Sequence, residues 1–543
     1  MNRKYLLWIA PWIAFGLGAC ATVQRTETSK ACAEWRWIGV RSPQETECPA
    51  IPGWEKPVPL FASVAAARAQ AGLCGYDYEE RIPEPALEAL EHLERFCVYE
   101  TGKKLRNVPF PPTTTGELVR IDQDCAAISI AGGTAWQTHS ENFLAQAGKP
   151  AEPLAIKNQG GVRLAFLDTH PTGEGVPAAL PKGKPISEHG YTLTQIARNL
   201  ICSPEDSDRC AALITTRLAL PIKKFDAKSR KRTKIDTEQG GHIGTQGDLA
   251  QAILDEVDDW RGDLRKRDAP QHLVINLSVA WDGERFGGLD AEEIEEMSTG
   301  TQAVYWALRY ARGFDVLVLA AAGNAQACEP PSGGPLLPAA WEEAAPWEEA
   351  CGELPPGTPL LYAVGGVDTE GKPLANARRR GMAERAAYGA FAVVPDLAPG
   401  RSTNMYTGTS ISTAVASSIA AIVWDTLPDR RPGEIMRLLD GSGDNLSDFH
   451  PFVPANFWFG ARAAIRRAEP PVRRLSLCAA LKAACEAPGG SAGCPLRRLW
   501  CEPWRPVEQS PSILPRLSSC HPWVHTQPPE EPCPVCEPPR LKN

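Results

Sequence analysis

An α/β domain with a parallel sheet and helices on both faces is predicted for residues 157–467, and three observations predict it. Short runs dense in Val, Leu, Ile and Ala recur through this stretch without alternating with polar residues, as in strands buried on both faces. Segments with helical spacing separate those runs. The flanks differ in composition: a Cys-containing region precedes the domain at 21–156, and a Cys- and Pro-rich region follows it at 468–543. A chain of 543 residues has room for one large domain and smaller pieces, and no internal repeat is visible.

Taken in order, residues 1–20 read as an export signal. Arg3 and Lys4 precede the apolar stretch YLLWIAPWIAFGLGA, which Pro11 interrupts and which is short for a membrane span. Leu17-Gly18-Ala19-Cys20 resembles the lipobox of bacterial lipoproteins, in which the Cys becomes the lipidated first residue. This implies a cell-envelope lipoprotein, in the outer membrane or periplasm, held to the membrane by a lipid on Cys20. Ala19-Cys20-Ala21 also fits ordinary signal cleavage, which would give a secreted product. In the region 21–156, PALEALEHLERFCVYE (85–100) has a helical pattern. The strand candidates of the main domain are VRLAFLD, HLVINLSVAW, DVLVLAAAGN, LLYAVGGV and AFAVVPD. LTQIARNLI, DLAQAILDEV and TQAVYWALRYA are the helices between them. Beyond 467 the chain turns Pro- and Cys-rich. Its end, HPWVHTQPPEEPCPVCEPPRLKN, favours fixation by disulfides over regular structure.

The chain holds 17 cysteines, and in an exported protein these point to disulfides. With Cys20 set aside the rest are even in number. Cys202 with Cys210, Cys328 with Cys351, and the group from Cys478 to Cys501 can close locally. If they do, the odd group Cys32–Cys125 shares a bridge with the odd group Cys520–Cys536. That bridge would keep the N-terminal region attached to the rest. Cys533-Pro534-Val535-Cys536 lacks a second pair at zinc-ribbon spacing. A net charge of −8 argues against nucleic acid as a partner, and KKFDAKSRKRTK (223–234) reads as a solvated loop.

GTSISTA (408–414) crowds hydroxyls onto the start of the apolar VASSIAAIVW. One helix cap needs one hydroxyl, so a second role is expected, and Ser410 is the candidate nucleophile. Its partners should lie at the carboxyl ends of parallel strands, where side chains of such sheets converge. Asp168 ends VRLAFLD. His189 stands just before a helical pattern, and Asn324 follows LAAAG. Together they offer an acid to orient a base, a base for the Ser410 proton, and an amide donor for an oxyanion. Thr409, Ser412 and Thr413 are left as packing and capping residues. Gly489-Gly490-Ser491-Ala492-Gly493 fits G-x-S-x-G in form only, since no apolar strand precedes it. His170 and His242 read as loop side chains rather than metal ligands.

At these residues the chain resembles the subtilisin-like serine peptidases, the subtilases, over roughly 157–467. FLDT at Asp168, HG at His189, AAAGN at Asn324 and GTSISTA at Ser410 carry the resemblance, in the order Asp, His, Ser. INLS (275–278), LAPG (397–400) and FGARAAIRRA (459–468) add to it. It implies a serine endopeptidase acting on protein or peptide substrates through Asp168, His189 and Ser410, with Asn324 at the oxyanion. No cofactor is required, and structural calcium, common in the family, has no ligands that the sequence places. Departures are Tyr191-Thr192 after His189-Gly190, His170 after Asp168-Thr169, Ala414 where Pro is common, and LSVAW in place of a Gly-rich segment. Trp281 is therefore expected to narrow or reshape the cleft. Two alternatives remain: a catalytically inactive peptide-binding protein on the same scaffold, and a surface interaction protein. The region 21–156 stands where subtilases commonly carry a propeptide, without a recognisable propeptide pattern.

Overall fold

The structure is a computed structural model of the chain. It describes residues 32–51, 54–62, 64, 82–100, 118–125, 129–130, 143–150, 154, 161–169, 189–203, 209–220, 222–223, 242–264, 266, 269–281, 283, 288, 294–324, 335–344, 359–374, 377, 383–390, 392–394, 404–446, 472–490, 494–495 and 501. The expected signal segment, LAPG, FGARAAIRRA, His170, Ser491, Cys328, Cys351 and the cysteines from 520 onward lie outside these residues.

In chain order the N-terminal region supplies β1 (Cys32–Arg41), β2 (Val58–Pro59), α1 (Glu84–Leu93), β3 (Phe96–Glu100), β4 (Leu118–Cys125), β5 (Ser129–Ile130) and the short α2 (Phe143–Gln146). Next come β6 (Val162–Asp168), α3 (His189–Ile201), β7 (Leu213–Leu218), β8 (Ile222–Lys223), β9 (His242–Ile243), α4 (Gln246–Asp263), β10 (His272–Leu277) and β11 (Val279–Ala280). After these lie α5 (Thr299–Gly313), β12 (Leu317–Ala321), α6 (Trp341–Ala344), β13 (Tyr362–Val367), β14 (Arg385–Tyr388), β15 (Ala392–Val394) and β16 (Asn404–Tyr406). The chain then forms α7 (Thr409–Thr426), α8 (Pro432–Ser442), β17 (Asp444–Asn445), β18 (Arg473–Arg474) and α9 (Leu477–Glu486).

The main sheet runs β17-β18-β14-β13-β12-β10-β6-β7. From β18 to β7 neighbouring strands are parallel, and β17 closes the edge antiparallel to β18. Opposite faces follow the period of two along β10. Leu273, Ile275 and Leu277 join the core beneath α4 and α5, while Val274 joins the core beneath α7. α7 is buried along nearly its whole length, because it carries apolar or small residues all round. The fold class is thus an α/β domain with helices on both faces. Two details differ from the sequence reading. AFAVVPD lies outside the main sheet, where β15 pairs antiparallel with β16. LITTRL and RAAY enter the sheet instead as β7 and β14, the first a half-exposed edge strand and the second short and rich in Ala. The region after 467 also holds more than a tail, since β18 inserts into the main sheet and α9 packs on α7.

Helical spacing in 85–100 gives way after Leu93, where FCVYE becomes β3. β2-β3-β1-β4 form an antiparallel sheet. It lies on α4 and α5, with Ile38, Leu60, Leu90 and Phe96 in one core with Leu249, Ile253, Val304 and Trp306. α1 approaches α5 closely: a Cβ on Gly313 would meet Ala86 at 2.5 Å. His92 stacks on Trp306 at 3.7 Å. Two of the three even cysteine groups are described, and they close within themselves as Cys202–Cys210, Cys478–Cys501 and Cys485–Cys494. Cys48 pairs with Cys97, and Cys32 stands opposite Cys125 in the β1–β4 ladder.

Charges on β4 meet the starts of both helices. Asp122 accepts from the Thr299 amide (2.9 Å) and hydroxyl (2.7 Å) at the head of α5. Asp124 lies at the head of α4, where Thr245 and Asp248 form a capping box, and Arg36 pairs with Asp124 (3.3 Å) and Asp248 (2.7 Å). Burial pushes the Asp124 carboxyl up to about 7, against the opposing pull of Arg36. A carboxyl raised in the folded state stabilises fully below its unfolded value of about 3.9, and that contribution is lost as pH rises through about 7. Thermal melts of the full chain from pH 5.5 to 8 should therefore show a decline that Asp124→Asn flattens. An identical slope in the variant would exclude Asp124 as its source.

Candidate active site

Parallel strands bring their carboxyl ends to one edge of the sheet, and β12, β10 and β6 are consecutive in it. Asp168 closes β6 and is 1% exposed. Its Oδ1 accepts from the Thr169 amide at 2.6 Å. Thr169 in turn accepts from the Gly190 amide at 3.2 Å, which fixes the first turn of α3 against the strand end. His189 begins α3, and its Nδ1 stands 2.9 Å from each carboxylate oxygen of Asp168. That arrangement suits a proton on Nδ1 and leaves Nε2 as the acceptor.

Ser410 lies in the first turn of α7, which packs on α3. Its hydroxyl donates to the Ser278 carbonyl (3.2 Å), just past the end of β10. Gly408, the residue before the helix, supplies no side-chain cap. Asn324 does so from the end of β12: its Oδ1 accepts from both the amide and the hydroxyl of Thr409, each at 3.1 Å. Thr409 Oγ1 also accepts from the Gly323 amide (3.2 Å). With Oδ1 held this way, Asn324 Nδ2 is buried and has no hydrogen-bond partner among the described residues. A buried amide donor without an acceptor is costly in a resting fold, and it suits an acceptor that arrives with a ligand. Gly323 has φ +94°, and a Cβ there would meet Leu336 at 2.6 Å, so this tight turn requires Gly.

The structure thus brings Asp168 and His189 into contact and joins Asn324 to Thr409, next to Ser410. Ser412 and Thr413 bond back to the carbonyls of Gly408 and Thr409, the packing role expected of them. Thr409 does more than cap, since it orients Asn324; a Thr beside a helix start gives no signal of that in sequence. Trp281 does not line an open cleft. It is 1% exposed and packs edge-on against Trp341 at 5.7 Å, in the core beneath α5. A large side chain at this position is accommodated by turning inward. β11, which follows Ser278, pairs antiparallel with β5 of the N-terminal region, Val279 opposite Ile130. Among the described residues no group of three or more His, Cys, Asp or Glu side chains is placed to hold a metal ion.

Close packing holds the Ser410 turn. A Cβ on Gly389 would clash with Ser412 Oγ and meet the Gly408 carbonyl at 2.8 Å. Gly389→Ala should lower stability by about 1–3 kcal/mol through overpacking, read as a lower denaturant midpoint. An unchanged midpoint would show that the turn can shift freely.

Residues 243–451 match the Subtilase family model, Peptidase S8. The match includes Ser278, Asn324 and Ser410, while Asp168 and His189 precede it. No curated protein matches the chain. Among solved structures the chain is similar to the prenylagaramide maturation protease PagA, at 18% identity over 63% of this chain and 98% of that one, with a TM-score of 0.35. It is also similar to fervidolysin from Fervidobacterium pennivorans, a keratinolytic enzyme related to subtilisin, at 12% identity over 83% of this chain and 61% of that one, with a TM-score of 0.41. A third is the epidermin leader peptide processing serine protease of Staphylococcus aureus, at 11% identity over 82% of this chain and 98% of that one, with a TM-score of 0.44. The segment 243–451 that is similar to the Subtilase family model lies within the α/β domain, whose main sheet runs parallel from β18 to β7.

Proposed function

We propose that the protein is an exported serine endopeptidase that hydrolyses peptide bonds with Ser410 as nucleophile, His189 as base and Asp168 as its orienting acid. The observation that carries this reading is the Asp168–His189 pair, with Nδ1 2.9 Å from both carboxylate oxygens at the sheet edge that also holds Ser410. In this reading His189 Nε2 takes the Ser410 proton as Oγ attacks the substrate carbonyl. The same proton then passes to the leaving amine, and water repeats the sequence to free the acyl group. Asn324 Nδ2 and the Ser410 backbone N–H stabilise the oxyanion. No cofactor enters this chemistry. Cys20 carries the lipid anchor at the cell envelope.

The N-terminal region, in this reading, remains attached and restrains the enzyme. An extended peptide reaching Ser410 would add as a strand beside β11, the position that β5 fills. Substrate access then requires β5 to yield. A catalytically inactive binding protein would present the same scaffold without an activated serine.

A fluorophosphonate probe separates the two, because it reacts only with an activated hydroxyl. Labelling should map to Ser410 and vanish in Ser410→Ala, with peptide hydrolysis lost and the melt retained. A wild-type chain that folds but neither labels nor cleaves would favour the binding protein. Asn324→Ala should slow turnover by about 10²- to 10³-fold, the range known for an oxyanion donor removed from subtilisin itself. A full rate in that variant would assign the oxyanion to another donor.

A further inference from the structure

β10 reads HLVINL, and after the half-buried His272, Asn276 is the one polar side chain in a buried run, Leu273–Leu277. By the alternation of the strand it shares a face with Val274, the face that α7 covers. An amide in that position is costly unless both its ends are bonded. Its Nδ2 donates to Ser417 Oγ on α7 (3.1 Å), and its Oδ1 accepts from Ser278 Oγ (2.8 Å). Ser278 is fully buried and meets the helix start twice. Its hydroxyl lies 3.1 Å from the Ser410 carbonyl, and its own carbonyl accepts from Ser410 Oγ at 3.2 Å.

We propose that Asn276 is a positioning residue for Ser410, acting through Ser278. This rests on the reading of Ser410 as nucleophile. Asn276 is bonded to α7 at one end and to Ser278 at the other, so it fixes the strand end against the third turn of the helix. Ser278 has one hydroxyl proton and two acceptors within reach. The 2.8 Å bond to Asn276 sets the rotamer that keeps its oxygen beside the Ser410 backbone. That same segment continues into β11, so the backbone that would hold an extended peptide and the hydroxyl that would attack it are located by one side chain. Apolar side chains of similar volume would fill the space equally well. The amide is needed only if the position of Ser278 matters.

The test uses the full chain and a fluorophosphonate probe, with the maximal inactivation rate and the half-saturating probe concentration measured separately. Asn276→Ala and Ser278→Ala should each lower the maximal rate about tenfold or more, while half-saturation moves less than about twofold. A merely structural amide would lower the melting temperature and leave the rate of the folded fraction unchanged, and that result overturns the proposal. If Asn276→Ala does not fold, Ser278→Ala decides by the same two outcomes. Failure of the wild-type chain to label at Ser410 would instead overturn the nucleophile reading, and this proposal with it. Labelled wild type with unaffected variants overturns this proposal alone.

Discussion

Burial of α7 against the centre of a parallel sheet is the constraint on which the rest of the molecule depends. The helix touches β6, β10, β12, β13 and β14, and its first turn reaches the edge where those strands end. Neighbouring strands lie about 4.8 Å apart, so residues at the ends of β12, β10 and β6 fall within two strand spacings of one another. No long side chain or bound group is needed to gather them. A helix that presented a polar face to the sheet could not sit there, and small residues such as Ala414, Ala416 and Ala420 allow its close approach.

The N-terminal region obeys a second constraint, that of two helix heads side by side. α4 and α5 both begin near β4, where their unpaired amide groups favour negative charge. Asp122 and Asp124 alternate with Ile121 along that strand and meet those heads, while the apolar side chains of β1 and α1 enter the core beneath the same helices. Electrostatics sets the register and apolar burial supplies the adhesion. The contact is continuous with the interior, unlike the polar surfaces between loosely linked domains.

Much of this architecture was legible because buried strands announce themselves. VRLAFLD begins and ends as β6 does, and the end of that strand is the carboxylate that meets His189. β7 was not legible, because an edge strand needs no apolar face and LITTRL mixes Thr and Arg with exposed Leu. Nor was the assignment of AFAVVPD to a separate pair of strands, since its composition suits either sheet. At the site, strand ends and a helix start pointed to Asp168, Asn324 and Ser410. What the sequence could not convey was Thr409 binding the Asn324 carbonyl, or Asn276 reaching Ser417 across 141 positions. Such bonds are set by how elements cross, and spacing along the chain holds no record of them.

The cap on α7 has a consequence for how this chain can change over evolutionary time. The helix borrows its N-terminal acceptor from Asn324, the same side chain whose buried Nδ2 is a spare donor among the described residues. An N-cap is worth about 1 kcal/mol, a sizeable share of a marginal fold's margin. A lineage that abandoned chemistry would still be penalised for discarding the amide. On the proposed reading, persistence of Asn at this position among descendants is therefore weak testimony of retained activity, whereas the fate of the hydroxyl at 410, which no cap depends on, is the more candid witness.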